Sequence, residues 1–466
     1  MISQSTSFVT SSRLAENIQS FQTAHPVVDG SVVSVRAPAV ADVMGGIAEE
    51  SGSPVLTATL SMSFAVSMWR IAGDSIRLRL IPEGGEGSAH DFGISLSALA
   101  VPVEQSAAIV DACKKGGGEW AASACLAVQR ALNQSIVTRP TGGWAILLQT
   151  DFPAEVDLGR HTVVAAGVIE ALTRLENKPT DRATKARLCS DAASVITGLQ
   201  SVRTALTSLS GAADGSLLQI RFHPQPAGDA VALPVGAMIV ALRTSLARPV
   251  TQERLIDTRL CAEMGQRIIL GYHGGDGQPG APRIERLSSI TPNEFVERFK
   301  DIFPQKITGK QYTAKFGELR GVNGHLAPDD VYKVRSRAEH HIYENRRVHE
   351  FSNCISRARR SNSLEAMIEA GDKMYASHWS HSQRCGIGGV ETDRLVTCIR
   401  KYGPAAGLFG AKVTGGGCGG EMVVLMRDDA ATHTSLAKAV AEAQSLSNRS
   451  IHTIRGSLAG AELATV

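Results

Sequence analysis

The chain has 466 residues, of which 43% are hydrophobic and 20% charged, a composition typical of a globular protein long enough for two domains. Its formal net charge of +3 is too small to indicate nucleic acid or a membrane surface as a partner. The cysteines are scattered and include no CxxC pair, which argues against a zinc site or a disulfide framework and favours reduced thiols.

The sequence shows no pattern of a targeting or membrane-spanning segment. Its first residues lack the basic and apolar regions of a signal peptide, and the longest apolar run, 231–242, is far shorter than a bilayer span. We therefore expect a cytoplasmic protein, and the sequence does not indicate its oligomeric state.

Taken in chain order, hydrophobic periodicity and turn residues predict a mixture of strands and helices after a polar N-terminal segment at 1–25. Strands are predicted at 32–36, 55–69, 75–81, 144–148, 217–222, 237–242 and 450–455. Helices are predicted within 102–133 (two helices) and at 160–176, 182–209, 251–270, 292–303, 337–357, 362–379, 391–402 and 430–446. This mixture favours an α+β fold over a doubly wound sheet, with domains at 26–240 and 241–466.

The most distinctive stretch is 408–426, LFGAKVTGGGCGGEMVVLM. Glycine occupies every position from Gly415 to Gly420 except Cys418, and an apolar, β-favouring segment lies on each side. Because glycine has no Cβ and allows positive φ, successive backbone N–H groups in such a loop can form a concave anion-binding site. A flexible hairpin turn is the alternative interpretation of a glycine run.

The order of residues in this loop resembles the third motif of the GHMP small-molecule kinases, in particular their galactokinase and L-arabinokinase branch. Further stretches resemble other blocks of that branch: APAVADVMGGIAEESGSPVL at 37–56, RLCAEMGQRII at 259–269, VYKVRSRAEHHIYENRRVHEF at 331–351 and HWSHSQRCGIGGVETDRLV at 378–396. With the glycine loop, these blocks extend the resemblance over about half of the chain.

The resemblance implies a two-lobed fold with the active-site cleft between the lobes, ATP and Mg²⁺ as cofactors, and a small, sugar-like substrate. By motif position, the nucleotide would be bound by Lys412, Thr414, Gly415, Gly416, Gly417, Gly419 and Gly420, together with Gly159 and His161. The substrate would be bound by Gly46, Glu49 and Glu50, and the catalytic residues would be Asp42, Glu49 and Arg160. No residue is assigned as a metal ligand.

In the first motif, several positions depart from the family pattern. The arginine expected to stabilise the transferring phosphoryl group is Val40, and the sugar-binding aspartate is the longer Glu49, followed by Glu50 in place of tyrosine. Gly46 and Ile47 stand where galactokinases carry Glu and His. Since small misplacements of a reacting group are costly, we expect galactose and L-arabinose to be poor substrates.

The second motif departs further, because Glu155 and Asp157 stand where glycines belong and Gly-Arg-His at 159–161 stands where serines belong. A carboxylate repels a triphosphate unless Mg²⁺ lies between them. The N-terminus of the helix that begins near residue 160 still favours an anion, and Arg160 and His161 would hold phosphate through their side chains. The alternative is that these two side chains cover a closed, empty site.

The best match to the family's catalytic aspartate is Thr204, and a shift of one residue gives Arg203 or Ala205, none of which is a base. Phosphoryl transfer depends mostly on positioning and electrostatic stabilisation, so the loss of a base alone does not exclude a kinase. We therefore expect ATP-dependent phosphorylation of a sugar or sugar-like hydroxyl by an altered mechanism. The alternative is a catalytically degenerate protein that binds sugar or nucleotide, or an enzyme of another class that uses the same cleft.

Other reactive side chains have simpler explanations. The histidines fall on two predicted helices in family blocks without a metal role, and the cysteines near the motifs lack an activating sequence, which favours structural roles. These residues are His340, His341, His378, His381, Cys385 and Cys418.

Overall fold

The computed structural model describes residues 11–463 except 29, 83–88, 138–141, 154–155, 211–214, 245–251, 276–285, 320–325, 417–419, 448–449 and 457–459. Glu155, Gly417, Cys418 and Gly419 therefore lie outside the described residues.

The helices, numbered in chain order, are α1 Ser11–Ala24, α2 Leu96–Leu99, α3 Ser106–Lys115, α4 Ala122–Asn133, α5 Arg160–Leu175, α6 Arg182–Thr197, α7 Val202–Ser210, α8 Gln252–Gly275, α9 Pro292–Glu294, α10 Gly309–Phe316, α11 Val334–Ser361, α12 Leu364–Ser380, α13 Val390–Tyr402 and α14 Ala430–Ser447. The strands are β1 Val33–Met44, β2 Val55–Ile71, β3 Ser75–Ile81, β4 His90–Ser95, β5 Gly143–Thr150, β6 Ser216–Arg221, β7 Ala227–Ala232, β8 Ala237–Thr244, β9 Ile307–Thr308, β10 Val331–Tyr332, β11 Leu408–Val413, β12 Glu421–Arg427, β13 Ile451–Arg455 and β14 Glu462–Leu463. A 3₁₀ helix, Gly46–Ser51, follows β1, and a π-helical turn, His381–Cys385, continues α12. None of the described helices is long and apolar enough to cross a bilayer.

These elements form two units. The first contains Met1–Ala41, Ala58–Leu218 and Ile454–Val466, and the second contains Asp42–Thr57 and Gln219–Thr453. The chain passes from the first unit to the second within β1 and returns within β2, so the segment that holds the first motif is divided between them.

The first unit is built on a mixed sheet in which the order β14-β1-β2-β5-β3-β4 places β3 parallel to β5. The amphipathic helix α1 covers part of this sheet, since Leu14, Ile18 and Phe21 pack with Trp69 in one buried cluster. Composition alone predicted only a polar segment at 1–25, because the three apolar residues are separated by charged and amide side chains. On the helical side of the unit, α4, α5, α6 and α7 pack in sequence against one another.

The second unit has an antiparallel sheet of order β11-β12-β8-β13, in which β12 pairs with β11 on one side and β8 on the other. Helix α12 packs on β11, and the long helix α11 packs on α12. The mixture of helices and largely antiparallel sheets confirms the predicted α+β class. The strands β4 and β7 were not predicted, because both are short and mostly exposed and contain few large apolar residues.

Glycine allows α12 to approach β11 at backbone distance. A Cβ placed on Gly371 would lie 1.9 Å from the carbonyl oxygen of Phe409, and one placed on Gly410 would lie 2.6 Å from the Gly371 Cα. Real Cβ contacts are not that short, so any side chain here must push the helix away from the strand that leads into the glycine loop.

We therefore expect Gly371→Ala to destabilise the protein by about 3 kcal/mol, the upper part of the range for overpacked sites. The matched control is Gly271→Ala in α8, where a Cβ meets nothing within 4 Å. That variant should be stabilised by about 0.5–1 kcal/mol, because alanine is the better helix former. Urea unfolding midpoints measure both changes, and equal midpoints for the two variants would contradict the proposed close approach.

Candidate functional site

The glycine loop connects β11 to β12 and is held at both ends by hydrogen bonds. The Thr414 N–H donates to the Glu421 carbonyl at 3.1 Å, and the Thr244 hydroxyl donates to the Gly420 carbonyl at 2.9 Å. Gly415 and Gly420 have φ values of 60° and 77°, which disfavour other residues. A Cβ on Gly415 would meet nothing within 4 Å, so the loop leaves open space beside its backbone.

The second half of the first motif lies directly against this loop. The Asp42 N–H donates to the Thr414 hydroxyl at 2.7 Å, across 372 positions of sequence. A Cβ on Gly46 would lie only 3.3 Å from the Gly415 carbonyl oxygen. The fold thus brings predicted substrate-binding and nucleotide-binding residues together within the second unit.

A buried carboxylate fixes the start of the 3₁₀ helix Gly46–Ser51. Glu344 of α11 has no exposed surface, and its Oε1 accepts hydrogen bonds from the Gly45 N–H at 3.2 Å and the Ser377 hydroxyl at 2.6 Å. Its Oε2 accepts from Nη1 of Arg347 at 2.7 Å. The charge-assisted bonds make the carboxylate a strong acceptor, and the guanidinium compensates its buried charge.

The end of the same 3₁₀ helix is fixed by His341, one turn earlier on α11. The Ser51 hydroxyl donates to the Ala48 carbonyl at 2.8 Å, so it is an acceptor for Nδ1 of His341 at 3.1 Å. Burial lowers the pKa of His341 to about 4 from the usual 6.5. Stability therefore falls as the pH drops from about 6.5 to about 4, because only the unfolded chain binds the proton in that window.

The three predicted substrate residues of this 3₁₀ helix have different environments. Glu49 is half-buried, whereas Glu50 is exposed and forms an ion pair with Arg259 of α8, with Oε1 2.5 Å from Nε. Gly46 is buried at φ 48°, with the Cε1–Nε2 edge of the His381 ring beside its Cα. The ion pair draws the Glu50 side chain toward α8.

Lys412 lies inside the unit. Its side chain has no exposed surface, and Nζ donates to the Val413 carbonyl at 2.7 Å. The Val413 N–H lies 3.4 Å from Nδ1 of His378, whose Nε2 lies 3.1 Å from the Asp393 carboxylate. The strand that carries the loop is therefore tied to α12 and, through it, to α13.

The predicted second-motif residues lie at the start of α5 in the first unit. Nη2 of Arg160 donates to the Pro153 carbonyl, and its guanidinium lies 5.7 Å from the centre of the Phe152 ring. Nδ1 of His161 is 2.8 Å from the Ser123 hydroxyl of α4. These contacts brace the loop before α5, a role that the sequence did not predict for Arg160.

The segment aligned with the catalytic aspartate also reaches the start of α5. A Cβ on Gly159, at φ 72°, would lie 2.6 Å from Cγ2 of Thr204. The Ser208 hydroxyl on α7 donates to the Pro38 carbonyl of the first motif at 2.9 Å. Within the first unit the structure thus brings together the start of α5, α7 and the Pro38 end of the first motif, and Val40 of the same unit is 5% exposed.

The remaining reactive side chains are candidates for an activated thiol and for a metal site. Burial raises the pKa of the Cys385 thiol to about 12, so it is not an activated nucleophile. Among the described residues, no cluster of three or more His, Cys, Asp or Glu side chains is arranged to hold a metal ion.

Sequence reasoning missed the residues that support the first motif, namely Ser51, Glu344, Arg347 and Ser377. A usable signal existed, because His341 and Glu344 are three residues apart on α11 and share its buried face with Val348. Polar side chains at core positions of a helix need specific partners, but the pattern does not say which distant segment supplies them.

No family model matches the chain. Over 446 residues, covering 84% of this chain, it is 24% identical to the L-arabinokinase of Arabidopsis thaliana. The chain spans 42% of the length of that relative.

Among solved structures, the galactokinase of Lactococcus lactis complexed with galactose matches with a TM-score of 0.73 and 15% identity, over 97% of this chain and all of that one. The chain has the GHMP kinase fold. The homoserine kinase of Cytophaga hutchinsonii also matches, with a TM-score of 0.53 and 12% identity over 94% of this chain and all of that one. The mevalonate kinase of Methanococcus jannaschii matches with a TM-score of 0.51 and 14% identity over 92% of this GHMP-fold chain and 99% of that one. The likeness to the GHMP kinases that the motifs predicted is confirmed, and the matches include an L-arabinokinase and a galactokinase.

Glu344→Gln tests the buried carboxylate. The amide leaves the Arg347 guanidinium, 14% exposed, without its charge partner, and we expect a loss of about 3–5 kcal/mol of stability. The matched control is Glu369→Gln, which breaks the exposed ion pair between Arg357 of α11 and Glu369 of α12 and should leave stability nearly unchanged.

Chemical denaturation of both variants measures this contrast. A Glu344→Gln variant as stable as the control would show that the buried carboxylate does not hold the first motif.

Proposed function

We propose that this chain is an ATP-dependent phosphotransferase that acts on a hydroxyl group of a sugar or sugar-like molecule, with an altered active site. The observation that carries the proposal is the contact of the first motif with the glycine loop, made by the Asp42 N–H to the Thr414 hydroxyl at 2.7 Å. The likeness to L-arabinokinase over 84% of the chain supports a sugar as the substrate class.

The residues present fit the phosphates of ATP. The open space beside Gly415 and the positive φ of Gly415 and Gly420 support this, because a glycine loop whose backbone N–H groups face one ligand can hold a phosphate group. Gly416 and the described end of the loop at Gly420 would contribute further N–H groups, as would Gly417 and Gly419 in the remainder of the loop.

Fewer protein groups would bind a divalent cation than would bind the phosphates. Asp157, an exposed carboxylate three residues before α5, would hold Mg²⁺ together with phosphate oxygens, as is usual for this ion. When bound, MgATP supplies the phosphoryl group and the cation offsets its negative charge. Without a Ser hydroxyl at 159–161, this cation would be held less tightly than in a complete second motif.

The protein's own part is positioning. Asp42 fixes Thr414 and with it the loop, Glu49 orients the receiving hydroxyl beside Gly46, and Lys412 supplies positive charge from inside the unit. Arg160 adds a cation at the start of α5, next to the favourable helix terminus. Positioning and preorganised charge are the main contributions to phosphoryl transfer, which makes a carboxylate base dispensable.

A second function is favoured by one observation, the absence of both base and arginine at the expected positions. Thr204 accepts a hydrogen bond from the Ser201 hydroxyl at 2.6 Å and packs its methyl group against Gly159, while Val40 is buried. In this alternative the chain binds sugar or nucleotide without transfer, or catalyses a reaction of another class.

Arg160 provides the test of nucleotide binding. Arg160→Ala should weaken MgATP binding by about 1.5–3 kcal/mol, the range for a lost charge-assisted hydrogen bond. Arg160→Lys keeps the positive charge but removes the guanidinium that donates to the Pro153 carbonyl. If this variant binds MgATP like wild type, the charge of Arg160 matters for binding and its hydrogen bond to the loop does not. Arg187→Ala removes the same charge from an exposed position of α6 and should bind as wild type does.

Calorimetric titration of the four proteins, with and without Mg²⁺, is combined with an ADP-release assay over a panel of sugars. No ATP binding by the wild-type protein at millimolar nucleotide would refute the kinase proposal. Binding without ADP release on any sugar would favour the second function.

Galactose and L-arabinose should themselves be poor substrates. Glu49 is one methylene longer than the family's aspartate, and Gly46 carries no side chain to hold the sugar. The receiving hydroxyl of galactose or of L-arabinose is therefore not held in line for attack. In the ADP-release assay we expect kcat/KM for both to be at least about a hundredfold below that of the best sugar in the panel. Efficient turnover of either would contradict this account of the first motif.

A further inference from the structure

One backbone position leads into the glycine loop. Val413 is the last residue of β11, the edge strand of its sheet, and it lies opposite Met422 of β12. The N–H of the next residue, Thr414, donates to the Glu421 carbonyl. Since the hydrogen bonds of an antiparallel pair alternate, the N–H and carbonyl of Val413 point away from β12. Val413 is 1% exposed, so these two groups need partners from elsewhere in the protein.

Two buried side chains are these partners. The Val413 N–H donates to Nδ1 of His378 at 3.4 Å, and Nζ of Lys412 donates to the Val413 carbonyl at 2.7 Å. Neither side chain has exposed surface. The Val413 carbonyl and the Thr414 N–H belong to one peptide group, which is therefore bound on both of its sides. His378 holds the backbone directly before this peptide group, at the entry of the glycine loop.

The hydrogen bond from Val413 requires one particular form of the imidazole. Because the backbone N–H is the donor, Nδ1 of His378 is the acceptor, and the proton of the neutral ring is on Nε2. Nε2 faces Oδ1 of Asp393, in the first turn of α13, at 3.1 Å, and neither atom has another hydrogen-bond partner among the described residues. The Ser382 hydroxyl donates to Oδ2 of Asp393 at 3.0 Å and orients the carboxylate. Asp393 thus favours the tautomer that can accept from Val413.

The close approach of α12 to β11 holds the imidazole in place. His378 follows Gly371 by two helical turns, so both residues lie on the face of α12 that contacts β11. A Cβ on Gly371 would lie 1.9 Å from the Phe409 carbonyl oxygen, which shows how near the helix backbone is to the strand. This packing keeps Nδ1 of His378 at hydrogen-bond distance from Val413.

We propose that His378 and Asp393 are positioning residues for the glycine loop and, through it, for the phosphates of MgATP. His378 fixes the backbone before Thr414, whose hydroxyl accepts from the Asp42 N–H, and Asp393 keeps the imidazole in the form that can do so. Both residues act through the backbone and not by contact with the nucleotide. The proposal rests on the function proposed above and names the residues that preorganise its phosphate site.

Three substitutions separate positioning from packing. His378→Asn places an acceptor close to the position of Nδ1, whereas His378→Leu is larger than asparagine but has no acceptor. Asp393→Asn keeps the shape of the carboxylate. Its amide can donate to Nε2, which favours the tautomer with the proton on Nδ1 and no acceptor for Val413. The control is His349→Gln, at an exposed position of α11.

Calorimetric titration with MgATP measures the effect on the glycine loop. We expect His378→Leu to raise the dissociation constant about tenfold, as for one lost hydrogen bond, and Asp393→Asn to raise it about threefold. His378→Asn should stay within about threefold of wild type, and His349→Gln should bind as wild type does. If His378 only filled space, the smaller asparagine would bind MgATP worse than leucine.

Hydrogen exchange and nitrogen NMR test the same role without nucleotide. The β11 peptide that contains Val413 and Thr414 should exchange about tenfold faster in His378→Leu, and nearly at the wild-type rate in His378→Asn. In protein with nitrogen-labelled histidine, the His378 signals, assigned by their loss in His378→Asn, should show the proton on Nε2 in wild type and on Nδ1 in Asp393→Asn. If the wild type binds no MgATP, the kinase function fails, and these two measurements alone decide the positioning role.

Any of four results would overturn the proposal. Wild-type MgATP affinity in His378→Leu would show that the glycine loop does not depend on this hydrogen bond. Unchanged exchange of the β11 peptide in the same variant would show this independently of the nucleotide. Weaker binding in His378→Asn than in His378→Leu would reduce the role of His378 to packing. A proton on Nδ1 of His378 in the wild-type protein would contradict the hydrogen bond from Val413.

Discussion

The arrangement of the second unit depends on one buried carboxylate. Glu344 joins three segments that are far apart in sequence: the turn at Gly45 before the 3₁₀ helix, α11 itself, and α12 through Ser377. In an interior of low polarity such bonds are strong when complete and costly when broken, so the three segments hold one another in a single arrangement. Glu344 at Gly45 and Thr414 at Asp42 together hold the first motif against the glycine loop.

The residues of the proposed site fall into two sets. The glycine loop and the second half of the first motif are in direct contact through the Asp42 N–H and the Thr414 hydroxyl, within the second unit. The positions that normally supply charge and base, Val40 and Thr204, instead carry apolar and hydroxyl side chains that are buried. If these residues form the proposed kinase site, catalysis there relies on positioning, which is the larger part of phosphoryl transfer.

The sequence predicted the fold class and most elements, because helical and strand periodicity are local signals and the glycine loop has a distinctive order. It did not predict that Glu344 would accept a hydrogen bond from Gly45 of the first motif, nor that His381 would lie beside Gly46. Such contacts depend on how distant segments pack. Helix α1 was missed because its apolar residues are few. Their role in the core is evident only from the structure, in which Phe21 packs against the sheet. Whether each motif residue binds a ligand stays a prediction.

The most direct test of the account is a crystal structure with a non-hydrolysable ATP analogue and Mg²⁺. The account predicts that the terminal phosphates lie against the backbone N–H groups of the glycine loop, on the side that faces Gly46. A nucleotide bound elsewhere, or a glycine loop that stays empty at saturating nucleotide, would contradict the claim that this loop and the first motif form one phosphotransfer site.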